Sequence, residues 1–424
     1  AAIFFSIFFS NCAAQAQVNP RIEWKVLKLP HFDLIYDVRH QELAELYAHR
    51  LEDNILVLSN YFQSQPDRIA VILNDKTDST NGYATPIPYD HIMLYPVLPG
   101  PLETISEYGD WARELTMHEY THILSFQPRR GVIKVLHSLF GSIITPNLFL
   151  PRWWLEGVAV EIETRTSHHG RLRSLYQDAM LRAYVLDSRL QNVELAEINE
   201  VSIHTWPYGA RPYLFGSLMW SEIIKNYGKK MVQELHWRYG GRIPFFVEGP
   251  AQDILEVNYS ELFEQAKRTV KTKTTQQFEV LKRIPPTHFE NINVQQNDQQ
   301  KELESLSPTI SPDGLKMAYI SKSAAAIRSV TILRRPDTKT PFSTDQKSDT
   351  LSQKLNEGSS IANPLPKNHD DGPPIGTIQR LSWFPDSEKI VYDKINSLSR
   401  FHELSDLHVY DLAKKKNIQL TTGA

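Results

Sequence analysis

The sequence predicts an α+β domain over residues 17–283 followed by an all-β segment over 284–424. Three observations point there. Strand-length apolar runs alternate with one amphipathic helix over residues 20–95. Helical spacing then dominates to about residue 275. Past Pro285-Pro286 the pattern changes to short strands separated by Pro-Asp-Gly or Pro-Asp-Ser turns. The 424 residues exceed one typical domain, and 41% apolar content is ample for a buried core.

Residues 1–16 stand outside this fold. Ala1 to Phe9 is a short apolar run, and Ala14-Gln15-Ala16 reads as a cleavage site before Gln17, the end of a signal peptide. The run is too short to span a bilayer. Cys12 raises a second reading, a lipid anchor, although Phe9-Ser10-Asn11 matches a lipidation signal poorly. Either reading implies export to the periplasm or cell envelope, with no transmembrane helix in the mature chain. Cys12 is the single cysteine, so no internal disulfide forms. A net charge of −3 gives no reason to expect a nucleic-acid partner.

His31–Tyr36 reads as a strand. Leu43, Leu46, Tyr47, Leu51, Ile55, Leu58 and Phe62 lie at helical spacing within 42–63. Ile69–Leu73 is a buried-type strand, Asn81-Gly82 a turn, and 91–96 another strand. Pro207 to Gly216 opens a helix that runs to Tyr227, with Gly228 as its C-cap.

The helix around Glu114–Leu124 carries His118-Glu119-Tyr120-Thr121-His122. Residues four apart share a helical face, so the two imidazoles fit two corners of a tetrahedral Zn²⁺ site. Glu119 projects beside them, within reach of a metal-bound water whose proton it can take. Downstream, Leu150-Pro151-Arg152-Trp153-Trp154-Leu155-Glu156-Gly157-Val158-Ala159 starts another helix. Glu156 sits there among apolar residues, and a buried carboxylate needs a cation. Two His and one Glu leave a fourth position open for water. Glu161 and Glu163 are the other candidates for third ligand, or for orienting a histidine from behind. His137 reads as structural, and His168-His169 as part of a polar loop.

The pair His118/His122 followed by Trp154-Leu155-Glu156-Gly157-Val158-Ala159 resembles the gluzincin metallopeptidases. The 34-residue step from His122 to Glu156 is longer than in thermolysin and is similar to bacterial peptidase MA-like domains. The resemblance implies one Zn²⁺ held by His118, His122 and Glu156, with Glu119 as general base. It implies a Tyr near the start of the next helix that donates to the oxyanion, Tyr213 with Tyr208 as alternate. It also implies a substrate cleft lined by Tyr83 and Ala84 and by the strand 91–96 with Ile92 and Leu94, where substrate pairs with a sheet edge. The Gly-x-Met-Glu-Asn stretch with which related aminopeptidases hold a free amine is missing. Endopeptidase action is therefore favoured, unless Glu103 or Glu107 folds into that position.

Leu306–Ser321 and Leu381–Tyr392 both read strand, Pro-Asp-Gly/Ser turn, strand. With Asp406–Leu412 and Ile418–Gly423 they resemble TolB-like β-propeller repeats. Two such units do not close a ring, so the segment reads as the start of a propeller. Residues 336–376, rich in Pro, Ser, Lys, Asp and Asn, read as a disordered insertion.

The expectation is thus an exported zinc metallopeptidase acting on a peptide or protein, with an envelope partner for the propeller. Two alternatives stand beside it. One is a degenerate scaffold protein acting through the propeller, and the other a zinc hydrolase of a non-peptide substrate.

Overall fold

Alternating burial lays down the first sheet. Strands β1 (Trp24–Lys28), β2 (Phe32–Asp37), β3 (Ile69–Leu73), β4 (Asn81–Thr85) and β5 (His91–Tyr95) form it, with helix α1 (Gln41–Phe62) between β2 and β3. The strand order is β1-β2-β3-β5-β4. β2, β3 and β5 are parallel, while β1 and β4 run antiparallel on the two edges. Phe32, Leu34, Val71, Ile92 and Leu94 are turned to one face and buried, as the period of 2 requires. The computed structural model describes residues 22–62, 68–100, 103, 105–199, 206–285, 287, 302–323, 328–335, 337–339, 349–350, 378–399 and 402–422. The leader expected over 1–16 and the lipid-anchor candidate Cys12 lie outside them.

Helix α1 buries Ala44, Tyr47, Ala48, Leu51, Ile55 and Leu58 against this face. Leu46, expected on the same stripe, is exposed. The two alanines occupy that stripe instead, because small side chains let the helix approach closely.

Helices follow in order: α2 (Trp111–Phe126), α3 (Val132–Phe140), α4 (Arg152–Arg165), α5 (Leu175–Leu186), α6 (Arg211–Tyr227), α7 (Lys230–Tyr239), α8 (Glu248–Leu255) and α9 (Tyr259–Leu281). Helix α2 is buried almost all round. Such a helix belongs to the interior of a large core. Among the described residues no helix is long and apolar enough to cross a membrane.

Asn81-Gly82 is not the hairpin turn. Both residues begin β4, opposite Tyr95 and Leu94 of β5, and the chain reverses through Pro86–Asp90 instead. The edge of the sheet is accordingly β4, and β5 is an inner strand.

Beyond α9 lie two four-stranded antiparallel sheets. The first is β6 (Glu302–Ile310), β7 (Lys316–Ser323), β8 (Arg328–Arg334) and β9 (Asp349–Thr350). The second is β10 (Leu381–Trp383), β11 (Lys389–Ser399), β12 (His402–Asp411) and β13 (Lys416–Gln419). Each is a meander, and they share a small core of Ala318, Ile320, Ile332, Ile390 and Tyr392. The repeat holds in detail. Gly314 and Ser387 occupy the same left-handed position after Pro-Asp, and Asp313 pairs with Lys316 as Asp386 pairs with Lys389. The sheets are open, and among the described residues no closed propeller is formed. The insertion expected over 336–376 falls largely outside the described residues. Within it, β9 pairs with β8.

One buried histidine ties α4 to α7. His236 is fully buried, donates Nδ1–H to the Val232 carbonyl at 2.6 Å and accepts the Trp154 indole N–H on Nε2 at 2.9 Å. Both nitrogens are used by the neutral ring, and burial pushes its pKa down from 6.5 to about 4. The unfolded chain therefore takes up this proton first as pH falls. The stability His236 contributes is complete above pH 6.5 and is lost between 6.5 and about 4. Linkage at roughly 1.4 kcal/mol per unit bounds the loss at about 3 kcal/mol. Denaturant unfolding of the wild type and of His236→Gln, at pH 7.5 and 5, checks this. The wild type should lose more stability than the variant, and equal losses would contradict it.

Candidate active site

Asp110 starts α2 by accepting the Arg113 amide N–H at 3.1 Å. Asn54 of α1 then fixes the helix from the side, donating to Thr116 Oγ1 and to the Arg113 carbonyl at 2.8 Å each. The following turns hold His118, Glu119 and His122, all buried. Helix α4 crosses them and brings Glu156. His118 Nε2 and His122 Nε2 are 3.1 Å apart, and Glu156 Oε2 lies 3.2 Å and 3.4 Å from them.

This cluster fits a metal by the chemistry of its donors. Two ring nitrogens that face each other across 3.1 Å cannot both present lone pairs unless a cation lies between them. A mostly buried carboxylate completes the set, and two His with one Glu can hold zinc. Glu119 fits too. Its Oε2 is buried with no hydrogen-bond partner, as expected of a carboxylate whose partner is a water or substrate.

Glu163, one of the three glutamates weighed from sequence, lies behind the ligands. Its Oε2 is 3.1 Å from His118 Nδ1. Arg171 grips the same carboxylate with Nε to Oε1 at 2.8 Å and Nη2 to Oε2 at 3.0 Å. Arg171 Nη2 also lies 2.8 Å from His118 Nδ1, but that nitrogen has one role only. With Nε2 facing the cluster as a lone pair, Nδ1 carries the proton and donates it to Glu163. Glu161 points elsewhere and pairs with Arg165.

The two carboxyls of the site are driven apart. Burial raises the Glu119 carboxyl, and the nearby histidines offset this only in part. Burial also works to raise Glu156, but the His118 and His122 rings beside it outweigh this and hold it well below its ordinary value. Glu163 is likewise held down at about 2, its burial outweighed by Arg171 and His118.

Tyr213 lies in the first turn of α6. Its ring stacks on His118 with centroids 6.3 Å apart, and the Arg171 guanidinium lies 5.0 Å from its centre. Arg152 Nη2 reaches its Oη at 3.4 Å, while Arg152 Nε is 3.6 Å from Glu156 Oε1. Burial raises the phenol, which stays protonated as a donor. This placement depends on two glycines. A Cβ on Gly157 of α4 would lie 2.3 Å from the Gly216 carbonyl carbon, and one on Gly216 would lie 2.0 Å from the Trp153 carbonyl oxygen. Only bare backbones let α4 and α6 cross this closely.

A cleft of about 640 Å³ opens over these residues. Its rim includes Thr80 to Ala84, so Tyr83 and Ala84 line it. The edge strand approaches so closely that a Cβ on Gly82 would be 3.0 Å from Glu119 Oε1. Ile92 and Leu94 do not line the cleft. Both are fully buried in the core beneath β5, because alternation turns them toward the helices and β4 lies outside their strand. Tyr208 also faces the cleft, as does Glu107, whose Oε2 accepts the Leu175 N–H at 2.6 Å. Glu103 instead accepts from the Gly100 N–H. His137 Nδ1–H donates to the Ile144 carbonyl at 3.1 Å.

Arg171 was not legible as a site residue. It follows Gly170 in a short turn, and no local motif marks it. The signal available was charge: Glu156 and Glu163 on one buried helix demand more cation than two histidines supply. Arg152 was open to inference from its i,i+4 spacing to Glu156.

No protein-family model matches the chain, and no curated protein sequence matches it. Among solved structures it is similar to Legionella pneumophila aminopeptidase A, solved with aspartic acid. There the identity is 12%, the match covers 72% of this chain and 31% of that one, and the TM-score is 0.34. An aminopeptidase N family protein from Idiomarina loihiensis is 13% identical over 58% of this chain and 46% of that one, with a TM-score of 0.34. Native yeast LTA4 hydrolase is 11% identical over 57% and 38%, with a TM-score of 0.31. The matched part spans less than half the length of each of these proteins. The chemistry of the site rests on its own side chains.

The helix crossing gives a direct test. Gly216→Ala forces a methyl against backbone, and an overpacked core typically loses about 1–3 kcal/mol. The expected result is a lower denaturant midpoint with weaker binding of added Zn²⁺, since Glu156 moves with α4. Wild-type stability and affinity would show that the crossing tolerates a side chain.

Proposed function

We propose that this chain is a zinc-dependent metallopeptidase of the gluzincin type, exported to the cell envelope. The observation that carries the reading is the convergence of His118, His122 and Glu156 within hydrogen-bond distance of one another, beside a buried carboxylate, Glu119, with an unpartnered oxygen. His118, His122 and Glu156 would hold one Zn²⁺, which supplies Lewis acidity to a water and to the carbonyl under attack.

The chain's own groups do the rest. Glu119 takes a proton from the water as its oxygen bonds to the carbonyl carbon. It then delivers that proton to the amide nitrogen as the C–N bond breaks. Its raised carboxyl pKa suits both transfers. Tyr213 donates from Oη to the oxygen on which charge develops. Arg152 and Arg171 add positive charge beside it. Glu163, fixed by Arg171, sets the tautomer of His118. The edge strand Asn81–Thr85 offers backbone groups to an extended substrate.

Glu119→Gln separates the roles. It should keep zinc and lose peptide hydrolysis by at least about a hundredfold, the scale of a general base. Glu156→Ala should instead lower zinc affinity itself. Zinc titration alongside turnover of a mixed peptide library, with and without chelator, reads both. Unchanged turnover in Glu119→Gln would remove that residue from the mechanism. Hydrolysis of esters but no peptides would favour a non-peptide substrate.

We favour endopeptidase action, because β4 runs along the cleft as an open edge and the Glu107 carboxylate is already engaged by the Leu175 N–H. An internally quenched peptide should be cleaved equally with its N-terminus free or acetylated. Strict dependence on the free amine would instead assign Glu107 the task of holding it.

A further inference from the structure

Helix α3 turns its apolar side chains outward. Val132, Leu139, Ile143, Ile243, Phe245 and Phe246 each expose 70% or more of their surface. These residues form one region. The Arg130 N–H donates to the Gly240 carbonyl at 3.2 Å, and the rings of Phe149 and Phe245 meet at 5.4 Å. Helix α3 buries none of its residues, the reverse of what a core-facing amphipathic helix does. An apolar patch this large marks an interaction surface.

Charge selects the partner. From Tyr120 to Leu155 the sequence holds no Asp or Glu, but it holds Arg129, Arg130, Lys134 and Arg152. The 240–247 segment has no acid either. Acids at its margin are already engaged: Glu248 accepts the Tyr259 N–H, Asp253 pairs with Arg242 and Arg238, Asp33 pairs with Arg68, and Asp90 accepts from Gln127. Among the described residues Arg130 and Lys134 make no ion pair within 4.0 Å, so their charge is open to an outside anion. Exposed Phe, Leu and Ile beside unpaired cations, with no acid between them, is the composition of an interfacial membrane anchor.

We propose that α3 and the 243–246 segment form a surface that inserts into the headgroup region of an anionic lipid bilayer. Phe126, Leu148 and Leu150, which flank α3 in sequence, line the cleft. Attachment there would hold the cleft beside the membrane. The proposal does not rest on the peptidase reading, since its test reads binding.

The test is co-sedimentation of the full chain with vesicles of phosphatidylcholine, with and without phosphatidylglycerol. The wild type should bind, and more tightly to the anionic vesicles. Leu139→Asp/Phe245→Asp should cut partitioning by at least about tenfold on both, since each loses inserted apolar area. Arg130→Glu/Lys134→Glu leaves the apolar face intact and should erase the preference for phosphatidylglycerol. Thermal unfolding midpoints show that the variants fold, and the charge pair stands as the test should the apolar pair unfold. No wild-type binding to either vesicle would overturn the proposal, as would equal partitioning of the wild type and both variants. A dimer in sedimentation velocity that Leu139→Asp/Phe245→Asp dissolves, without vesicle binding, would overturn it in favour of a second copy of the chain.

Discussion

Two imidazole nitrogens and a carboxylate oxygen meet in the wall of a cleft, the histidines buried and the glutamate mostly so. Such a cluster is costly unless a cation sits in it. Much of the helical part of the molecule follows from keeping that cluster in place. Helix α2 is surrounded by core on nearly every side, so His118 and His122 have little freedom. Gly157 and Gly216 bring the α4 and α6 backbones into direct contact, which fixes Glu156 against the histidines and Tyr213 against His118. Arg171 and Glu163 then lock the far nitrogen of His118. The same crossing is closed from behind by Trp154, Trp220 and His236, whose rings stack or meet edge-on within 5.6 Å.

The cleft pairs a rigid wall with an open one. On one side lie the buried helices. On the other is β4, with Gly82 leaving room for Glu119. That asymmetry suits an extended ligand: rigid groups act at the centre while an edge strand positions the rest.

The sequence made the His-His-Glu cluster legible because its spacing is local. His118, Glu119 and His122 fall within five residues, and Glu156 stood out as a carboxylate among tryptophans. Tyr213 was reached through resemblance rather than periodicity, and the fold sets it against His118. Less was legible where the outcome depends on tertiary pairing. Asn81-Gly82 looked like a turn because its dipeptide favours one, yet pairing with Tyr95 and Leu94 draws it into a strand. Ile92 and Leu94 were assigned to the cleft by strand, but alternation buries them. Arg171 is 49 residues from His122 in sequence, and only the fold places it at the site. In the β segment the Pro-Asp-Gly/Ser turns marked both meanders correctly, while closure into a ring is a property the described sheets do not have.

Metal binding by the intact chain tests the central claim most directly. Equilibrium dialysis against Zn²⁺, comparing the wild type with His118→Ala/His122→Ala, should give about one tightly held ion per wild-type chain, the number one such ligand set takes. The double variant should retain none. Full occupancy in that variant, or no tight ion in the wild type, would contradict the account of why these side chains converge.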